Sequence, residues 1–163
     1  MMTQPEDITL TIHTSGVAQT QTLGERIGRM AAHGALILLS GELGSGKTAL
    51  TQGIARGLNI ATTVNSPTFT LLKEHHDGRL PLYHFDLYRL GDPDEIWSLG
   101  FDNYFTGDGV CVVEWAERAA DTWDDDWLWL HLTATDDEER EIRCVARGQW
   151  ASKTLRALEI DDG

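Results

Sequence analysis

Residues 41–48 read GELGSGKT, which sets glycines, a lysine and a hydroxyl at the spacing G-x-x-x-x-G-K-[ST]. These residue types at this spacing suit a polyphosphate. Glycines at 41, 44 and 46 let the backbone take conformations closed to residues with a side chain, so that successive N–H groups turn inward around phosphate oxygens. Lys47 adds a point charge toward the β- and γ-phosphates, and the Thr48 hydroxyl can ligate Mg²⁺. The expected contact set for the tail of a nucleoside triphosphate is Gly41, Glu42, Gly44, Ser45, Gly46, Lys47, Thr48 and Ala49. The chain has only three lysines, at 47, 73 and 153, so finding one here is informative.

A triphosphate with Mg²⁺ needs a second anionic ligand, usually an acid at the end of a neighbouring strand. Two acids end apolar runs: Glu114 after residues 110–113, and Asp86 after residues 82–85. Each also has a plainer reading, Glu114 as a solvent-facing strand terminus and Asp86 as a turn cap. Ser66, Thr68 and Thr70 offer hydroxyls where a γ-phosphate sensor can sit, although ordinary turn threonines look the same. His75 and His76 lie beside a turn and make a weak case for a metal. Trp115 either packs on the core or lies near the nucleotide.

The elements around the loop have the right periodicity to position it. Residues 35–39 are an apolar run expected to enter the loop as a buried strand, and residues 48–58 leave it as a helix with Leu50, Ile54 and Leu58 on one face. The N-terminus of that helix would aim its free N–H groups at the anion. Upstream, a short strand around 8–12 precedes a helix opened by a Thr22/Glu25 capping box, with Leu23, Ile27 and Met30 on one face and Gly34 beyond its end. Downstream, 69–75 and 80–85 read as a hairpin turning at Asp77 and Gly78, and Asp92, Pro93 and Glu95 open a short helix closed by Gly100. Residues 110–113 read as a central strand, 127–135 and 141–146 as a second hairpin, and 152–158 as a short terminal helix. The expectation is a single α/β domain over 1–163 of the phosphate-loop NTPase class. Its core spans 20–118, its hairpin and helix 127–158, and its mixed sheet carries antiparallel hairpins flanked by helices.

Composition narrows the class. A chain of 163 residues with 41% hydrophobic residues can fill one core, and no apolar run approaches the ~20 residues that span a bilayer. The polar N-terminus does not read as a signal peptide. Cys111 and Cys144 lie in apolar strands and read as buried free thiols of a reducing cytoplasm. A net charge of −13 argues against a protein that grips nucleic acid by itself. The acidity is denser at the end: residues 1–120 carry 14 acidic and 8 basic side chains, residues 121–163 carry 12 and 5. A solvated face explains this, as does an acidic surface for a basic partner.

The absence of N-K-x-D and of an internal D-x-x-G disfavours a GTPase, and no compact arginine cluster suggests the lid of a small kinase. The ordered set GELGSGKT (41–48), SPTFTL (66–71), YHFDLYRL (83–90), G-x-x-x-Y-F (100–105) and VVEWAER (112–118) resembles the TsaE family, a bacterial phosphate-loop ATPase supporting threonylcarbamoyladenosine modification of tRNA. The likeness covers roughly 20–118 and is weak beyond Arg118. It implies that residues 41–48 bind ATP, Thr48 and Glu114 hold Mg²⁺, and Thr68 is a switch-like hydroxyl facing the γ-phosphate. It further implies that Asp86 is required for activity, that Trp115 stands beside the metal, and that Thr20 helps enclose the adenine. The implied partners are a glycoprotease-like threonylcarbamoyl transferase subunit and its inactive paralogue (TsaD and TsaB type), with tRNA met through that complex and no membrane. Two departures, Asn103 before Tyr104 and Ala116 where the family often has proline, touch neither the loop nor the metal ligands. Hydrolysis is expected to be slow alone and raised by partners. A small phosphate-loop kinase, or a nucleotide-gated binding module with little hydrolysis, are the alternatives.

Overall fold

The computed structural model describes residues 3–65, 67, 71–98, 100–105, 107–123 and 126–161. Its elements are β1 (Ile8–Ser15), α1 (Gly16–Met30), β2 (Leu36–Ser40), α2 (Lys47–Gly57), β3 (Leu72–His75), β4 (Leu82–Asp86), α3 (Glu95–Ser98), α4 (Asp102–Phe105), β5 (Val110–Glu114), a 3₁₀ segment (Ala116–Thr122), β6 (Trp127–Ala134), β7 (Glu139–Arg147) and α5 (Gln149–Asp161). The seven strands form one sheet in the order β1-β7-β6-β2-β5-β4-β3. The four central strands β6, β2, β5 and β4 pair in parallel. Antiparallel hairpins β3–β4 and β6–β7 carry the sheet outward, and β1 closes one side against β7.

Every residue of β2 and β5 is buried, as a strand covered on both faces must be. Alternation then splits the interior in two. Ile37, Leu39, Val110 and Val112 face a layer holding Ile27 of α1, Ile54 of α2 and Leu155 of α5. Leu38, Cys111 and Val113 face the other side, where Phe85, Ile96, Phe101, Trp127 and Trp129 pack.

Helices α1 and α2 touch backbone to backbone. A Cβ built on Gly24 would stand 2.3 Å from the Leu50 carbonyl oxygen, and one on Gly53 would stand 2.1 Å from that of Gln21. Gly28 and Gly57 meet the facing helix in the same way, so these four glycines set the distance between the helices.

Some boundaries differ from the sequence expectation. Thr22 does not cap α1: the helix begins at Gly16, whose φ of +81° turns the chain straight out of β1, and Gln19 Oε1 accepts the Ser15 N–H at 2.7 Å. Thr22 instead donates to the Ala18 carbonyl at 2.9 Å, and Glu25 pairs with Arg29 at 2.6 Å. The terminal helix also runs beyond 152–158 at both ends, because Gly148 at φ +96° ends β7 and releases the chain into α5 at once. The capping box at Asp92 is present, with the Asp92 N–H donating to Glu95 Oε1 at 3.1 Å and Gly100 at φ +75° beyond α3. Helix α4 and the 3₁₀ segment have too few residues for a periodic signal.

Candidate functional site

Parallel register brings the site together. Leu39 at the end of β2 is level with Glu114 at the end of β5, and Glu114 is level with Asp86 at the end of β4. The loop leaving β2 therefore passes in front of two carboxylates, at the C-terminal edge of parallel strands where open α/β sheets hold ligands. The two carboxylates share a cleft of about 470 Å³ with Gly44, Gly46, Lys47, Thr48, Ala49, Trp115 and Arg140. Ser66, Thr68 and Thr70 lie outside the described residues, while Pro67 and Leu71 line the cleft.

The loop needs glycine at fixed points. Gly41 has φ +139°, and a Cβ there would lie 2.4 Å from the Leu132 carbonyl oxygen and 2.7 Å from Ser45 Oγ. Gly46 has φ +109° and stands as the N-cap of α2, so Lys47 and Thr48 form its first turn. Lys47 Nζ donates to the carbonyls of Gly41 (2.6 Å) and Glu42 (2.9 Å) and to Ser45 Oγ (3.4 Å), and lies 4.1 Å from the centre of the Trp115 ring. Burial pulls the Lys47 ammonium below its usual pKa, against the charges of Glu114, Glu117, Asp86 and Glu42.

Thr48 Oγ1 donates to Glu114 Oε1 at 3.2 Å, and Glu114 Oε2 accepts from His84 Nε2. Glu114 is only 2% exposed, so its reading as a solvent-facing terminus is excluded. A half-buried hydroxyl and a buried carboxylate aimed at each other are hard oxygen donors that fit Mg²⁺. Among the described residues no group of three or more His, Cys, Asp or Glu side chains could hold a metal ion. Burial raises the Asp86 carboxyl above its usual pKa; the Tyr88 N–H bond to Oδ1 at 2.9 Å opposes this, and the Glu114 charge adds to it. Asp86 thus caps a turn and also faces the cleft.

Trp115 has a left-handed backbone, φ +59°, which turns the chain sharply after Glu114 and lays the ring over Lys47. Its ring also meets Tyr88 at 4.9 Å, so it both packs and faces the cleft. Thr20 does not line the cleft. It is 2% exposed and bonds Thr14 Oγ1 at 2.8 Å behind Gly46, whereas Val17, one turn earlier, and Leu43 form apolar walls. His75 bonds Thr62 through Nδ1 and His76 bonds Glu74, and neither lines the cleft.

Three residues escaped the sequence reading. His84 orients Glu114, and its only signal was lying two residues before Asp86 on the same strand face. Glu117 Oε2 accepts the Gly41 N–H at 3.3 Å. Arg140 reaches the loop from β7 and had no signal at all. Arg89 and Arg140, far apart in sequence, line one cleft.

The family model described as "Threonylcarbamoyl adenosine biosynthesis protein TsaE" matches residues 14–142. This chain belongs to the TsaE family. The TsaE match includes every residue named above as lining the cleft, Arg140 among them, and so extends beyond Arg118, where the motif likeness fades. The chain is 45% identical over 144 residues to the tRNA threonylcarbamoyladenosine biosynthesis protein TsaE of Bacillus subtilis (strain 168), covering 88% of this chain and 90% of the relative. It is 41% identical over 123 residues to that of Treponema pallidum (strain Nichols), covering 76% and 90%. A solved structure, "Crystal structure of Bacillus subtilus YdiB", superposes with a TM-score of 0.83 at 35% identity, covering 98% of this chain and 100% of the other. Among the described residues no helix is long and apolar enough to cross a membrane.

Proposed function

We propose that this chain is a cytoplasmic Mg²⁺-dependent ATPase of the phosphate-loop NTPase class required for threonylcarbamoyladenosine modification of tRNA. It hydrolyses ATP to drive the cycle of the transferase complex and does not catalyse the transfer. One observation carries the reading: Lys47, the Thr48 hydroxyl, the Glu114 carboxylate and Asp86 converge on one cleft in front of a glycine loop at a helix N-terminus.

The loop amides and Lys47 would hold the β- and γ-phosphate oxygens, Lys47 exchanging the Gly41 and Glu42 carbonyls for them. Thr48 and Glu114 would hold Mg²⁺, which supplies charge neutralisation at those oxygens. Asp86, with a carboxyl pKa raised by burial, would orient the attacking water and accept its proton. Thr68 would face the γ-phosphate, and the apolar walls at Val17 and Leu43 would flank the base, with Thr20 supporting the loop from behind. A loose transition state needs mainly positioning, and turnover would be slow while the chain is alone and the site incompletely ordered. The transferase subunit and its inactive paralogue would raise it by ordering the site, and tRNA would be met through them.

The test is phosphate release from Mg²⁺-ATP by the chain alone and with the partner pair and tRNA, using Lys47→Ala as the blank. Slow release that rises with partners and vanishes in the variant supports the reading. Release persisting in Lys47→Ala, or a phosphorylated product in place of free phosphate, overturns it.

A further inference from the structure

We propose that Arg140 is a positioning residue of the phosphate loop, a brace on β7 that fixes the peptide planes at Gly44 and Ser45 so that the following N–H groups point away from it, the Ser45 N–H toward the Lys47 side of the loop. The inference rests on the nucleotide-binding reading above and adds to it a part supplied by the C-terminal hairpin.

All three nitrogens of the guanidinium are engaged, among the described residues by backbone carbonyls alone. Nε donates to Ser45 O at 3.0 Å and Nη2 to Gly44 O at 3.2 Å. Nη1 donates to the carbonyls of Asp136 (3.0 Å) and Asp137 (3.1 Å) in the β6–β7 turn and of Glu139 (3.0 Å) at the start of β7. One edge of a rigid planar fork grips the loop while the third nitrogen is anchored in the sheet.

The consequence follows from peptide geometry. In a trans peptide the C=O and the next N–H point in opposite directions. Holding Ser45 C=O against Arg140 therefore turns the Gly46 N–H away from it, and holding Gly44 C=O does the same for the Ser45 N–H. That second amide now donates across the loop to Glu42 O at 3.1 Å, the oxygen that also receives Lys47 Nζ, so it points to the lysine side. The loop needs such a brace. Gly44 and Gly46 both have positive φ, and a Cβ at Gly44 would meet nothing within 4 Å, so little packing holds that bend. Glycines there cost conformational entropy that the fork offsets.

The acidic turn takes on a role its composition hid. Its backbone carbonyls, not its carboxylates, seat the arginine.

The experiment compares wild type, Arg140→Ala and Arg140→Lys in two readouts. The first is amide hydrogen exchange of residues 41–48 without nucleotide. Both variants should exchange about tenfold faster there, with exchange in β2 and β5 unchanged. The second is calorimetric affinity for ADP and for ATP with Mg²⁺. Both should weaken about tenfold in each variant, and Arg140→Lys should not rescue, since an ammonium cannot hold two carbonyls in one plane. Unchanged loop exchange overturns the proposal. So does full rescue by lysine, which would mean that charge alone matters. A loss for ATP without one for ADP also overturns it, since that marks direct contact with the γ-phosphate. A wild type that binds neither nucleotide while loop exchange still rises in the variants would instead sink the ATPase reading and leave the brace standing.

Discussion

Gly53→Ala tests how the site is held in place. The added methyl would sit 2.1 Å from Gln21 O, 2.8 Å from Gln21 C and 2.9 Å from Gln21 Cα, and contacts under 3.0 Å essentially never occur for real Cβ atoms. All three obstacles are backbone, so no rotamer change relieves them. The helices must part by about 1 Å, a gap that forfeits a quarter to a half of the dispersion energy of each separated contact. Overpacking of this kind costs about 3 kcal/mol, and the better helix propensity of alanine returns about 1 kcal/mol. The net expectation is a loss of ~2 kcal/mol, or a melting temperature lower by about 6 °C for a chain of this size. Urea titration should show a lower midpoint at unchanged slope. Because α2 begins with Lys47 and Thr48, nucleotide affinity should also fall at temperatures where the variant is still folded. Stability equal to or above wild type would follow from propensity alone and would refute the close-approach argument.

Other perturbations report on other parts. Replacing His84 by alanine leaves Glu114 Oε2 without its imidazole donor, and the Mg²⁺ dependence of nucleotide binding should weaken by about 10- to 100-fold; calorimetry at varied Mg²⁺ with no change would remove His84 from that role. Glu114→Ala should impair Mg²⁺-dependent nucleotide binding and Asp86→Ala should impair turnover; unchanged Mg²⁺-dependent binding in the first removes the metal assignment, and unchanged turnover in the second removes the role given to Asp86. Burial pushes the Cys111 and Cys144 thiols up to about 12, so both should resist alkylation at pH 8 until the chain is unfolded in urea, and rapid native labelling would contradict their placement. Asp7 is held below its ordinary 3.8 chiefly by hydrogen bonds from Arg147, at 2.9 and 2.8 Å. A lowered carboxylate pKa adds stability that is complete above the unfolded value and disappears as pH falls through the folded one. Asp7→Asn should therefore be less stable than wild type at pH 7, with the difference shrinking as pH falls below 3.8; an unchanged difference across that range would show that Asp7 does not titrate with folding.

Much of the phosphate site was legible because its residues are contiguous. Gly41 to Thr48 declare themselves by spacing, and the strand before and the helix after follow from periodicities that a short window can hold. Hairpins β3–β4 and β6–β7 were readable from alternation broken by polar turns. The start of α1 was not, because the signal that decided it was the backbone angle of Gly16, while Thr22 and Glu25 offered a sound cap that the tertiary context overrode.

The sequence alone determined which residues can meet a phosphate and which runs must be buried, since glycine freedom, charge and apolar periodicity are properties of the chain itself. Only the tertiary structure decided which acids stand in front of the loop. Glu114 and Asp86 lie 28 residues apart and became neighbours through the parallel pairing of β4 with β5, while Arg140 arrives from β7, beyond the reach of any local pattern. Pairing register and the close approach of α1 to α2 depend on contacts between distant segments, and those energies exist only once the chain has folded.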